Sequence, residues 1–191
     1  MAANPSSSKP STLFRSALEL MTQYARCHRD RRNIATHFVG IPLIVFGIGV
    51  LMARAAVDVG TSGLTVSLAA VVWALSTAWY LTRGNLALGV AVSAVNALLF
   101  ALGDPLAAGS TAAWLSWGLG SFAVGWVLQF IGHYYEGKKP AFVDDIVGLL
   151  IGPMFVVGEA LFSLGWGSAM LAEIERRAGP THLRDLAHPA G

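Results

Sequence analysis

The chain has 191 residues, of which 54% are hydrophobic and 13% charged, with a mean hydropathy of +0.58. A soluble domain carries about 25% charged residues, so this composition argues for a membrane protein and leaves a buried soluble helical bundle as the weaker reading. The net charge of +2, with pI ≈ 8.9, is too small an excess to point to nucleic acid, and the length suits one compact domain.

The first residues, Asn4 to Pro10, are Pro- and Ser-rich and read as part of a disordered tail over 1–14. A single helical membrane domain is expected over 15–171, followed by a polar C-terminal tail over 172–191. Residues 1–36 are polar and basic, longer than the charged leader of a secretory signal, so none is expected. Cys27 is the single cysteine and excludes an intramolecular disulfide; beside Arg26 and His28 it reads first as an ordinary partly buried thiol.

Four apolar runs follow: Phe38–Ala53, Leu64–Leu81, Leu86–Leu102 and Ala112–Ile131. Each is roughly 16–20 residues, near the ~20 a helix needs to cross ~30 Å of hydrocarbon. They are rich in Gly, Ala and Ser, which lets transmembrane helices approach closely, and aromatic residues such as Trp79, Tyr80, Tyr134 and Tyr135 near their ends suit an interfacial belt. The expected fold is therefore an all-α, multi-pass membrane helical bundle with four spanning helices. A further apolar segment, Ile146–Trp166, is interrupted by Gly152-Pro153 and carries Glu159; it is expected to be kinked, re-entrant or interfacial, with a fifth crossing as the rival.

Basic residues set the orientation. Lys9, Arg15, Arg26, Arg29, Arg31 and Arg32 precede the first run, Arg83 lies between the second and third, and Lys138 and Lys139 follow the fourth. The positive-inside rule puts all of these on the cytoplasmic side. With four crossings, His28, His37 and His133 fall on that same face. His28 and His37 are nine positions apart, about half a turn out of phase on one straight helix, so a bend or cap near Arg31-Arg32-Asn33 is required for them to meet. Asn33 and His37 share a helical face, as do His133 and Glu136. Three imidazoles with a nearby carboxylate are a donor set for iron, zinc or copper. Each histidine taken singly reads more often as a capping or interfacial residue.

Two stretches together carry a family resemblance: His28-x4-Asn33-x3-His37 followed by Pro42, and Gln129-Phe-Ile-Gly-His133 with Glu136, Pro140-Ala141, Asp144-Asp145, Gly152-Pro153-Met-Phe155 and Glu159. Over about residues 15–170 the chain resembles the small membrane family of iron(II)-dependent dioxygenases that act on 2-hydroxy fatty acids in phytosphingosine breakdown. The resemblance implies fatty acid α-oxidation, in which a 2-hydroxy acyl chain and O2 give a fatty acid one carbon shorter. It also implies Fe(II) as cofactor, with His28, His37 and His133 as its ligands. Asn33, Glu136, Asp144 and Glu159 become candidates for orienting a ligand imidazole or moving a proton. Lys138 and Lys139 are candidates for attracting the substrate carboxylate, and equally simple topology determinants. The expected partners are the hydroxy acid, O2 and membrane lipid.

His182 and His188 in the tail are not expected to belong to the site. Two other functions compete: a non-catalytic membrane scaffold or lipid-binding protein, and a small transporter using Glu159 beside the broken Gly152-Pro153 segment. The expected location is the inner membrane in a bacterium, which the small residues and short loops favour, or the endoplasmic reticulum in a eukaryote.

Overall fold

The computed structural model describes residues 12–60, 63–140 and 147–187. After a single 3-10 turn at Thr12–Phe14, helix α1 spans Ala17–Ala25 and α2 spans Arg31–Ala53. Two short strands follow, β1 at Ala56–Val59 and β2 at Leu64–Ser67, then α3 at Leu68–Leu81, α4 at Leu86–Ala107 and α5 at Thr111–Glu136. The described chain ends with α6, Gly148–Ser163, and α7, Ser168–Ala178.

Local capping chemistry sets the helix starts. Ser16 and Glu19 form a reciprocal capping box at α1, with the Glu19 backbone N–H donating to Ser16 Oγ at 3.3 Å. Asp30 caps α2 by accepting from the Arg32 N–H at 2.8 Å. Ser67, Asn85 and Ser110 do the same for α3, α4 and α5. At its other end α5 stops on Gly137, whose φ of 71° a side chain would disfavour.

Helices α2, α4 and α5, of 23, 22 and 26 residues, are long and apolar enough to cross a membrane. At 1.5 Å per residue they are about 33–39 Å long. Leu98, Val124, Val127 and Phe130 stay exposed on their outer faces, as hydrocarbon contact requires and water would penalise. The protein is a multi-pass membrane helical bundle. The second apolar run is divided, because residues 64–67 pair with 56–59 in an antiparallel hairpin, Val59 opposite Leu64. Val57, Val59, Thr65 and Val66 favour extended backbone, and Gly60 and Gly63 at positive φ lie at the connection. That leaves α3 with 14 residues, about 21 Å, shorter than a full span.

Side-chain bonds at the two ends of the bundle establish its order. Arg54, just past α2, donates to Gly109 O and Thr111 Oγ1 between α4 and α5. Arg83, just past α3, donates at 2.6 Å to Leu13 O, ahead of α1. The start of α2, the end of α3, the start of α4 and the end of α5 therefore share one end of the bundle.

The dominant seam joins α2 to α5, and glycine makes it close. Gly40 and Gly47 on α2, and Gly118, Gly125 and Gly132 on α5, recur every seven residues along the facing sides. A Cβ on Gly125 would lie 2.7 Å from Gly40 O, and one on Gly47 would lie 2.7 Å from Gly118 O. Backbones approach this closely only where side chains are missing. Across the end of the bundle nearest α1, the hydrophobic core gathers Leu20 and Met21 of α1, Tyr80, Leu88, Met154 and Phe155 of α6, and Ile174 of α7. Pro153 sits inside α6 without ending it. The chain then turns by 118° through Gly165 and Gly167, both at positive φ, into α7.

Candidate metal centre

His28, His37 and His133 meet at that end, and among the described residues they form the one His, Cys, Asp or Glu group suited to a metal ion. Their ligand atoms lie within 4.8 Å of one another, and all three side chains are buried. The nine-residue phase problem is solved by a break in the helix. His28 lies in the turn after α1, His37 in the second turn of α2, and the Asp30 cap between them starts a new helix. His133 arrives from the last turn of α5, and the glycine seam brings it beside His37. A Cβ on Gly132 would overlap Thr36 Oγ1 and Asn33 Oδ1 of α2.

Each Nδ1 faces a backbone carbonyl: His28 to Tyr24 O at 2.7 Å, His37 to Asn33 O at 2.9 Å, His133 to Lys138 O at 3.1 Å. A carbonyl only accepts, so every Nδ1 carries the proton and every Nε2 presents a lone pair. His28 Nε2 and His37 Nε2 nevertheless stand 3.0 Å apart, lone pair to lone pair, an arrangement that calls for a cation. Burial, then the neighbouring His37 and His133, holds His28 well below its ordinary pKa of 6.5, so a proton is a poor candidate for that cation. A metal ion fits. With metal–nitrogen bonds of about 2.0–2.1 Å, two cis imidazoles at roughly 90–110° stand about 2.8–3.4 Å apart. Backbone carbonyls on the far nitrogens are the usual means of fixing a ligand imidazole.

Tyr24 stacks on His28 with ring centroids 3.9 Å apart and planes 4° from parallel, and Phe155 lies 5.5 Å from the same imidazole and 5.0 Å from the Tyr24 ring. Burial raises the Tyr24 phenol above its usual value of 10.

The other residues singled out in the sequence fall into distinct places. Glu136 is buried. Its carboxylate accepts from Arg29 N at 2.9 and 3.1 Å, Asp30 N at 2.8 Å and Asn33 Nδ2 at 3.1 Å, tying the His28 turn to α5. Asn33 adds a bond from Nδ2 to Cys27 O, and its own carbonyl orients His37. Glu159 reaches the turn at one remove, accepting from Arg29 Nη2 at 3.4 Å. Lys138 donates from Nζ to Arg26 O at 2.7 Å, and its carbonyl, rather than its charge, meets His133. Lys139 is exposed after α5. Asp144 and His188 lie outside the described residues.

The C-terminal segment also reaches the site. His182 exchanges backbone bonds with Arg29 O and Arg31 N, both 2.9 Å, and Arg184 N donates to Asp30 Oδ2 at 2.8 Å. Burial would raise Asp30, but the bonds from the Arg32 side chain and from the Arg184 and Arg32 backbones outweigh it and hold the carboxyl well below 3.8. Neither Tyr24 nor the Lys138 carbonyl was anticipated. The spacing of Tyr24, one helical turn before His28, was the available signal; a backbone carbonyl leaves none.

A family model described as 2-hydroxy-palmitic acid dioxygenase Mpo1-like matches residues 14–164. The 2-hydroxy-palmitic acid dioxygenase MPO1 of Saccharomyces cerevisiae is 30% identical over 163 residues, which cover 83% of this chain and 88% of the yeast protein. No solved structure matches.

Proposed function

The chain belongs to the Mpo1-like family, and from that membership we propose that it is an iron(II)-dependent dioxygenase of 2-hydroxy fatty acid α-oxidation, with its site at the cytoplasmic face of the membrane. The observation that carries the proposal is the pair of imidazole lone pairs facing each other at 3.0 Å beside a third buried histidine. His28, His37 and His133 would hold ferrous iron. When bound, the iron would supply coordination for the substrate oxygens and O2 and a route for electrons between them.

The chain's own groups do the rest. The carbonyls of Tyr24, Asn33 and Lys138 hold the proton on each Nδ1 and so aim each Nε2 inward. Glu136 fastens the His28 turn to α5, so the donors are set before substrate arrives. Tyr24 and Phe155 cover His28 and limit water at the centre. The overall reaction closes in atoms and electrons with O2 alone. R–CH(OH)–COOH and O2 give R–COOH, CO2 and H2O as the C1–C2 bond breaks, so neither a 2-oxo acid cosubstrate nor an external reductant is required. The membrane would be the inner membrane in a bacterium or the endoplasmic reticulum in a eukaryote.

The test is to purify the protein in detergent without oxygen, measure bound iron, and add O2 with 2-hydroxypalmitate. Stoichiometric iron and the C15 acid in the wild type, both lost in His28→Ala, His37→Ala and His133→Ala, are the expected result. Folded wild-type protein that takes up no iron and makes no product would refute the proposal and favour a scaffold.

A further inference from the structure

We infer that the outer side of the α2–α5 seam is the groove for the substrate's acyl chain, and that Gln129 is the substrate-binding side chain at its histidine end. This rests on the dioxygenase reading for the identity of the head group. Its location in the fold comes from three separate observations.

The first is a cavity of ≈ 140 Å³ that has His37 and His133 at one end. From His37 the α2 lining continues through Ile41, Ile44 and Ile48; from His133 the α5 lining continues through Gln129, Trp126 and Phe122. Both sets step by four, three and four residues, so each is one helical face and the two run side by side. Eleven residues on each helix give the groove an axial length of about 16 Å. The exposed Leu149 belongs to the same lining, so the cavity reaches the protein's apolar exterior. A chain can therefore enter from lipid while its head goes to the histidines.

The second is Gln129 itself. It is 4% exposed, and its Nε2 has no hydrogen-bond partner. A buried N–H without an acceptor is costly and is kept where a ligand supplies one. Gly40 leaves the room it occupies, because a Cβ there would overlap the Gln129 carboxamide. Gln129 is one helical turn, about 6 Å along the axis, from His133. That is the level at which oxygens held among the imidazoles end and the chain begins. The group it would meet is a carboxylate or hydroxyl oxygen of the substrate.

The third is the character of the remaining wall. Apart from Gln129, the five residues that follow the histidines, Ile41, Ile44, Ile48, Trp126 and Phe122, are aliphatic or aromatic. They carry no charge and suit a methylene chain. The enclosed volume resembles the about 150 Å³ apolar cavities that hold one benzene ring. It grips a few carbons at once, and the rest of the chain follows the open seam. Lipid is as apolar as this groove, so moving the chain between them changes little. Affinity should come from the head and placement from the groove.

The experiment uses the iron-loaded protein under argon, where no turnover occurs, and a 2-hydroxypalmitate analogue carrying a diazirine near mid-chain. The expected labels are on Trp126, Phe122, Ile44 or Ile48, and excess 2-hydroxypalmitate removes them. In Gln129→Leu the concentration of 2-hydroxypalmitate needed for displacement should rise by about tenfold or more, the loss expected for one hydrogen bond to a charged group. Competed labelling on the outward Val124, Val127 or Phe130 alone would overturn the groove and leave the dioxygenase reading intact. Unchanged displacement in a folded Gln129→Leu would overturn the role of Gln129. Iron-loaded protein in which 2-hydroxypalmitate displaces no label would overturn both the inference and the substrate on which it rests.

Discussion

Replacing Glu136 by alanine separates a carboxylate that builds the site from one that takes part in the chemistry. In the wild type it is the acceptor for Arg29 N, Asp30 N and Asn33 Nδ2, and all three residues are buried. Alanine leaves three donors without an acceptor, each at about 1–3 kcal/mol. The groups are neighbours and their losses are not additive, so the expected net destabilisation is about 3–5 kcal/mol. Glu136→Gln keeps the shape and one acceptor oxygen but turns an NH2 toward backbone donors, so it should fall between wild type and alanine. The assay pairs thermal unfolding in detergent with iron stoichiometry. Because the carboxylate holds the turn that carries His28, iron retention should fall in step with stability across the two variants. If both variants keep wild-type melting and full iron while losing product formation, Glu136 is a proton carrier and the structural account of it is wrong.

Gly132→Ala should weaken iron binding and stability together, by about 1–3 kcal/mol, because its Cβ would overlap Thr36 Oγ1 and Asn33 Oδ1 and spread α2 from α5; metal titration and melting read this, and an unaltered variant would show the seam to be slack. Ending the chain at Gly179 removes the His182 and Arg184 bonds to Arg29, Arg31 and Asp30. A loss of about 2–4 kcal/mol is expected from several bonds of about 1 kcal/mol each, with faster iron loss to a chelator, and equal chelation rates would refute it. Asp30 has a folded pKa below its unfolded 3.8, so its stabilisation is present above that value and declines as pH falls through it. Asp30→Asn should therefore be less stable than wild type at neutral pH, with the gap narrowing below about pH 4; parallel melting curves across that range would contradict the assignment.

Much of the site could be read in the sequence because its parts have local causes. Apolar runs near the length of a bilayer and histidines at run ends were enough to expect a multi-pass helical bundle with the three imidazoles together. The seven-residue glycine spacing from Gly118 to Gly132 was equally present, and it marks which two helices approach most closely. The hairpin was harder to read, since Leu64–Ser67 is as apolar as the helix that follows and only the pairing with Ala56–Val59 decides its state.

What the sequence determined by itself was the solvent the protein is made for, the family it belongs to and the residues able to bind a metal, because hydropathy, charge and side-chain chemistry belong to residues one at a time. Tertiary structure alone decided the rest. The break at Asp30 cancels the phase difference between His28 and His37, Glu136 accepts from the backbone of a turn 106–107 residues away and from the Asn33 side chain, and the carbonyls of Tyr24, Asn33 and Lys138 select the nitrogen that each histidine offers. Hydrogen bonds to backbone atoms carry no residue-type signature, and contacts across a hundred residues exist only once the helices have packed.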